Sequence, residues 1–323
     1  MTNVRQILFD WAEQGNLPPD NLRRALHLTG ALPSTAGWRH FIERLLLWIG
    51  TVMVAAGVIF FFAYNWDDLG RFTKLGLVEA LIVASLVLVW WLGLERAAGK
   101  AALLAGALLV GALLALVGQI YQTGADTYEL FTAWALAILP WALLSRFPAF
   151  WILWLGIVNL AVTLYDQTFS GVFDLLGPDP ILWLVFALNA IALIVWEGLD
   201  RAGVSWLRER WAPRLLATAA GVAITALAVL DLVDHAREED GGALVWLVWM
   251  ALAVFVYRRW KRDLFMLAAA VLSAIVVIAS FFGDLLQLDD EAVYSFLVIG
   301  LLVIGLSAAG GWWLKRVARE EEA

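Results

Sequence analysis

The chain has 323 residues, of which 63% are hydrophobic and 16% are charged, with a mean hydropathy of +0.81. Soluble domains average about 45–50% apolar and 25% charged residues, and a soluble chain this apolar could not cover its surface with polar groups. The composition therefore excludes a soluble enzyme and indicates a polytopic membrane protein. The absence of cysteine excludes disulfides and thiolate-bound metals.

The first 44 residues are predicted to form a short helical hairpin. Apolar residues recur at helical spacing before Gly15, and Pro18-Pro19-Asp20 opens a second short amphipathic helix. A nucleic-acid-binding helix-turn-helix is the sharper alternative, but five arginines against four carboxylates provide no basic face. We therefore expect an appendage for packing or partner binding, and no nucleic acid as a partner.

From Leu45 onward, apolar segments alternate with short polar breaks, which predicts an all-α polytopic bundle of about ten transmembrane helices. Eight or nine spans is the alternative count. The expected organisation is a hairpin (1–44), a transmembrane domain (45–314) and a charged tail (315–323). The predicted spans are 45–64, 75–94, 101–121, 128–144, 149–165, 181–196, 215–230, 243–257, 264–282 and 292–314.

The distribution of basic residues predicts the orientation of these spans. Of the 22 lysines and arginines, 19 fall in segments on one side of the predicted membrane and 3 on the other. Because basic residues concentrate on the cytoplasmic side, both termini are expected in the cytoplasm, which requires an even number of spans. Tryptophans at predicted span ends are typical of interfacial anchors: Trp66, Trp90, Trp91, Trp151, Trp196, Trp260, Trp312 and Trp313.

Glu79 is the only carboxylate well inside a predicted apolar segment. A charged glutamate in the bilayer is costly unless it is paired or solvated, so intramembrane carboxylates often carry protons or cations. The alternative is a neutral glutamate hydrogen-bonded to a neighbouring helix, or one close enough to the interface to stay wet.

The predicted topology places further polar side chains beside Glu79, in the outer half of one four-helix group. Amides and a phenol there can satisfy a carboxylate or line an outward-facing polar pocket. Ordinary capping and hydrogen bonding at helix ends is the alternative. The candidate pocket consists of Asn65, Glu79, Gln119, Tyr121 and Gln122.

Other features predict helix packing. Asn159 and Asn189 lie in the middle of two spans, where we expect an interhelical hydrogen bond rather than a ligand contact. A stripe of small residues on the third span allows close approach of a neighbouring backbone: Ala107, Gly111, Ala115 and Gly118.

Two motifs resemble those of a known family. The first span ends in Phe62-Ala63-Tyr64-Asn65-Trp66-Asp67, and a later span ends in Gly118-Gln119-Ile120-Tyr121-Gln122. Together with the hairpin, they make residues 1–150 similar to the bacterial predicted-membrane-protein family called domain of unknown function 2157. The resemblance implies a location in the bacterial inner membrane and makes a second membrane protein a plausible partner. It implies no activity, catalytic residue or cofactor.

The sequence favours a structural, partner-binding or sensing component of the membrane, which contacts the lipid bilayer and binds a partner through the hairpin or helix faces. The alternative is a small-solute or proton-coupled transporter that uses the pocket around Glu79. An enzyme acting on lipid-linked substrates ranks last, because no nucleophile, metal or nucleotide motif is present in a usable context. We therefore expect no catalytic residues, cofactor or bound metal, and the sequence predicts no oligomeric state.

Overall fold

The computed structural model describes residues 4–29, 35–64, 70–169, 172, 179–234, 241–286 and 292–322. Within these ranges the chain is α-helical and contains no strand, apart from a short 3₁₀ turn at Ser205–Leu207, so the predicted all-α class is confirmed. The helices are α1 (Val4–Glu13), α2 (Pro19–Leu28), α3 (Thr35–Tyr64), α4 (Arg71–Leu92), α5 (Ala97–Tyr121), α6 (Thr127–Ser145), α7 (Pro148–Thr168), α8 (Pro180–Arg201), α9 (Trp211–Val233), α10 (Gly242–Arg259), α11 (Leu264–Leu285) and α12 (Ala292–Glu322).

Nine of the described helices, α4 to α12, are long and apolar enough to cross a membrane. They coincide with the second to tenth predicted spans. The first predicted span, residues 45–64, is the carboxy-terminal part of α3, and its insertion, and hence the count of ten, stays a prediction. Several middle helices are longer than the spans predicted for them, because polar and aromatic residues at both ends of each span continue the helix. For example, α7 has 21 residues where the sequence predicts 17.

The predicted amino-terminal hairpin is present as α1 and α2, which contact each other and bury Leu8 and Leu26. Gly15 follows α1 with a positive φ of 75°, a conformation that glycine adopts without strain. The helix α3 then begins at Thr35 and continues through the predicted boundary at residue 44. The predicted tail is likewise a continuation of α12, which ends at Glu322. The domain boundaries themselves stay predictions.

The chain divides into two compact units, 1–123 with 321–323, and 124–320. In the first unit, α5 packs against α3 and α4. Val78 of α4 is fully buried against Leu116 of α5. Ala107 and Gly111 of the small-residue stripe are buried too, which agrees with their predicted role in packing.

In the second unit, the interhelical hydrogen bonding predicted for the mid-span asparagines is confirmed, and the two side chains bond to each other. Asn189 of α8 donates from Nδ2 to Oδ1 of Asn159 in α7 at 2.7 Å. Asn189 is buried, so each amide satisfies the other in a setting where an unpaired polar group is costly. Trp196 departs from the predicted interfacial belt: it is buried and donates to the carbonyl of Leu207 at 3.1 Å.

Candidate functional site

The residues predicted to form a pocket around Glu79 lie in the first unit. Glu79 is exposed on α4, next to the buried Val78. Gln119 and Tyr121 are exposed at the end of α5, and Gln122 follows with a left-handed φ of 43°. Asn65 lies outside the described residues. Among the described residues, no hydrogen bond or ion pair joins the four placed side chains, so a polar pocket here stays a prediction.

The second unit contains another cluster of polar side chains, which lies at one end of α8, α9, α10 and α11. It forms where the link between α8 and α9 meets the link between α10 and α11. We call it the ionic cluster, and its members are Glu197, Asp200, Arg210, Arg214, Tyr257, Lys261 and Asp263.

Asp263 is one centre of the ionic cluster. Its side chain is only 2% exposed and accepts two hydrogen bonds from Arg214: Nε to Oδ2 at 3.2 Å and Nη2 to Oδ1 at 3.1 Å. Arg210 donates from Nε to Oδ2 at 3.1 Å. The carboxylate also caps α11, because Oδ1 accepts from the backbone N–H of Phe265 at 3.0 Å. The paired hydrogen bonds from Arg214 hold the first turn of α9 against the link between α10 and α11.

Glu197 is the other centre. It accepts from Arg210 Nη1 at 2.8 Å, from Lys261 Nζ at 2.6 Å and from the Tyr257 hydroxyl at 3.2 Å. Lys261 also pairs with Asp200, one turn further along α8. Arg210 therefore bridges Glu197 and Asp263, and the cluster is one connected network in which every carboxylate has a cationic partner.

This pairing shifts the pKa values of Asp263 and Arg210, which both lie outside the predicted spans. Burial opposes the charge on Asp263 most strongly, but hydrogen bonds from Arg214 and Arg210 outweigh it and lower the pKa of Asp263 below 3.8. Burial likewise opposes the charge on Arg210, but its bonds to Glu197 and Asp263 raise the pKa of Arg210. Both groups are therefore charged throughout the physiological pH range.

The lowered pKa of Asp263 predicts the pH dependence of stability. A carboxyl group whose pKa is lower in the folded state contributes stability above its unfolded pKa and loses it as the pH falls through the folded value. We expect the difference in thermal stability between the native chain and Asp263→Asn to be constant from about pH 7 to pH 5. It should then shrink as the pH drops below about 3.8. Thermal unfolding of both proteins in detergent micelles measures this, and a difference that grows in acid would contradict the assignment.

A cavity of about 920 Å³ lies next to the ionic cluster, between α8, α9, α10 and α11. Its walls are mostly apolar, and its charged end contains Glu197, Tyr257 and Lys261 of the cluster. Ile194 and Val222 line the cavity and are each 65% exposed, so its wall continues onto the apolar outer surface of the helices. The cavity is thus apolar along its length and charged at one end.

Two hydroxyl groups form a small polar patch on the otherwise apolar cavity wall. The oxygens of Thr225 in α9 and Ser273 in α11 lie 2.6 Å apart, and Trp246 donates from Nε1 to Ser273 at 2.8 Å. These groups satisfy one another, so they link three helices without requiring a ligand.

The charged end has one further cation. Arg201, the last residue of α8, lines the cavity and stacks over the ring of Trp260 at 4.7 Å. Within the described parts of the chain, no carboxylate forms an ion pair with Arg201, whereas the three cations of the ionic cluster are paired. The arrangement suits the binding of a molecule with an apolar body and an anionic head. No group of three or more potential metal ligands occurs among the described residues.

Sequence reasoning missed the ionic cluster, although a signal is visible in the chain. The charge pattern uses the basic residues near positions 210 and 261 only as markers of the cytoplasmic side. Glu197 and Asp263 lie directly at the ends of predicted spans, on the side where basic residues dominate. Carboxylates in that position are candidates for partners of the neighbouring cations.

The comparison with known families concerns the other half of the molecule. Residues 9–151 match the family model described as Predicted membrane protein (DUF2157). Over these residues, which are less than half of the chain, the sequence is similar to the DUF2157 family. The match confirms the resemblance and covers α2 to α6, whereas the ionic cluster and the cavity lie outside the DUF2157 region. No curated protein and no solved structure matches the chain.

Proposed function

We propose that this protein is a non-enzymatic component of the bacterial inner membrane that binds an amphiphilic molecule and serves a sensing or partner-binding role. The cavity between α8, α9, α10 and α11 is the observation that carries the proposal. Its volume of about 920 Å³ lies within the range of small-molecule sites, about 300–1,000 Å³. Apolar walls with one charged end match a hydrocarbon chain that ends in an anionic group.

The absence of free acid–base groups in the cluster supports binding rather than catalysis. Glu197, Asp200 and Asp263 each accept hydrogen bonds from cations, so these carboxylates are engaged as structural partners. A general base needs a carboxylate that is free to take a proton from a substrate. Arg201 and the Trp260 ring, by contrast, are placed to contact a ligand head.

The arrangement of the links supports the predicted orientation. Ion pairs from Arg210 in the link between α8 and α9 and from Arg214 in the first turn of α9 reach Asp263 in the link between α10 and α11. Arg262 of the same link donates to the carbonyl of Glu320 near the end of α12. Three segments assigned to the cytoplasm by their charge therefore lie at the same end of the second unit. We propose ten spans with both termini in the cytoplasm, which places the charged end of the cavity at the cytoplasmic leaflet.

The cavity is tested by filling it. Gly221 lines the cavity, and an added Cβ there meets no atom within 4 Å, so Gly221→Leu places side-chain volume inside it. We expect the purified variant to bind a photoactivatable palmitic acid about tenfold more weakly or worse, because the added carbons occupy the space for the chain. Crosslinking followed by mass spectrometry measures the occupancy and should locate the label on α9 to α11 in the native chain.

Gly156→Leu is the matched control. Gly156 is an exposed glycine of α7, also with open space around a Cβ, and it does not line the cavity. Its labelling should equal that of the native chain. Equal labelling of all three proteins, or label confined to helices outside the cavity, would remove the proposal.

A further inference from the structure

A second groove lies on another face of α10, between α10 and the end of α12, and has a volume of about 560 Å³. We call it the α10–α12 groove. It is separate from the cavity of the proposed function, with which it shares no lining residue. Its lining is Ala251, Val254, Phe255, Arg258, Arg259, Arg262, Val317 and Glu320.

The charged end of this groove is unbalanced. Three guanidinium groups share this end with the single carboxylate of Glu320. That carboxylate pairs with Arg258, with Nη2 and Oε2 3.7 Å apart, and with Arg316 outside the groove lining, with Nε and Oε1 3.5 Å apart. Arg262 donates one hydrogen bond from Nη1 to the backbone carbonyl of Glu320 at 3.1 Å. A backbone carbonyl does not neutralise the positive charge of Arg262. Arg259 and Arg262 are exposed. The groove therefore has an excess of two positive charges and free donors for an anionic ligand.

The rest of the groove is apolar and runs away from the arginines. Ala251 precedes Arg258 by seven residues, which is about 10 Å along a helix. Between them, Val254 and Phe255 form a wall, and Phe255 is 52% exposed. Because α10 is a candidate membrane span, this wall faces hydrocarbon while the arginines lie at the end of the span. A free phosphate ion could bind the arginines but would make no contact with the apolar wall.

We propose that the α10–α12 groove binds an anionic phospholipid of the surrounding bilayer. The phosphate group accepts hydrogen bonds from the arginines, whose planar guanidinium groups suit phosphate oxygens, and one acyl chain lies along Val254 and Phe255. The two excess positive charges favour a lipid with net negative charge over a zwitterionic one. On the predicted orientation, the lipid belongs to the cytoplasmic leaflet.

Native mass spectrometry of the full chain in detergent with added phosphatidylglycerol or phosphatidylcholine tests the proposal. We expect phosphatidylglycerol to bind more tightly, and the double variant Arg259→Gln/Arg262→Gln to weaken it about 10- to 30-fold, since each basic residue at a membrane surface favours anionic lipid. The control is Arg44→Gln/Arg96→Gln, which removes two exposed arginines from the first unit and should bind as the native chain does.

A second variant separates a built site from general attraction. Val254→Trp fills the wall and leaves every charge in place, so it should also weaken phosphatidylglycerol binding if the acyl chain lies there. The proposal is overturned by equal binding of the two lipids, by unchanged binding in the arginine variant, or by an equal loss in the control variant. Full competition by millimolar inorganic phosphate would overturn it too, because the site would then be one for a free anion.

Discussion

Replacing Asp263 by alanine should destabilise the second unit more than any other single removal of a charge described above. The variant leaves Arg214 and Arg210 without the carboxylate that accepts three of their hydrogen bonds, and it removes the cap of α11. Breaking a fully buried ion pair costs about 3–5 kcal/mol, but the Arg214 side chain is 40% exposed and Arg210 keeps Glu197 as a partner. We therefore expect a loss of about 2–3 kcal/mol from the charged hydrogen bonds and the helix cap. Equilibrium unfolding in mixed detergent micelles measures the loss, and Asp263→Asn, which keeps a capping oxygen, should lose less.

Asp126 provides a matched control for this experiment. It occupies the position before α6 that Asp263 occupies before α11, but it is exposed and its side chain caps no backbone N–H. Asp126→Ala removes the same charge and should change stability by no more than about 0.5 kcal/mol. If both variants lost the same stability, the ionic cluster would have no special role in holding the links together.

Replacing Gly99 by alanine should be the most disruptive change in the first unit. A Cβ at Gly99 would overlap the backbone carbonyl of Gly93, which ends α4 with a positive φ of 75°. The obstacle is backbone in a turn between two packed helices and not the movable end of a side chain. We expect a loss of about 3 kcal/mol, at the upper end of the usual cost of overpacking, measured by the same unfolding method.

Gly76→Ala is the control for Gly99→Ala. Gly76 lies in the second turn of α4, and a Cβ there meets no atom within 4 Å. The alanine should be neutral or stabilising by about 0.5–1 kcal/mol, because glycine is unfavourable inside a helix. A similar destabilisation by both substitutions would show that the close approach of Gly99 to Gly93 does not limit the packing of α4 on α5.

The ionic cluster and the cavity share residues, which suggests how the proposed ligand could influence the protein. Glu197, Tyr257 and Lys261 belong to both, so a ligand head at the cavity end would lie against the groups that join the two links. A ligand that altered the pairing of Lys261 would thereby act on the geometry of α8 relative to α10. On the proposed function, ligand binding would in this way affect the charged end of the second unit.

The helices themselves were predictable because each depends on local sequence. Long apolar segments between polar breaks determine membrane helices wherever they pack, and the ends of α4 to α11 lie within a few residues of the predicted spans. Interhelical hydrogen bonding by Asn159 and Asn189 was predictable for a similar reason, since polar side chains in the middle of spans have few other partners; that they bond to each other came from the packing of α7 and α8.

The sequence by itself determined the all-α class, the helical hairpin, nine candidate membrane spans among the described residues and the similarity of residues 9–151 to the DUF2157 family. Only the tertiary structure decided which polar groups meet. Glu197 and Asp263 are 66 positions apart, and nothing in their local sequence indicates that Arg210 bridges them, because that contact depends on how α8, α9 and α11 pack. The same packing creates the cavity and the α10–α12 groove, since empty space between helices is a property of their arrangement and not of any one segment.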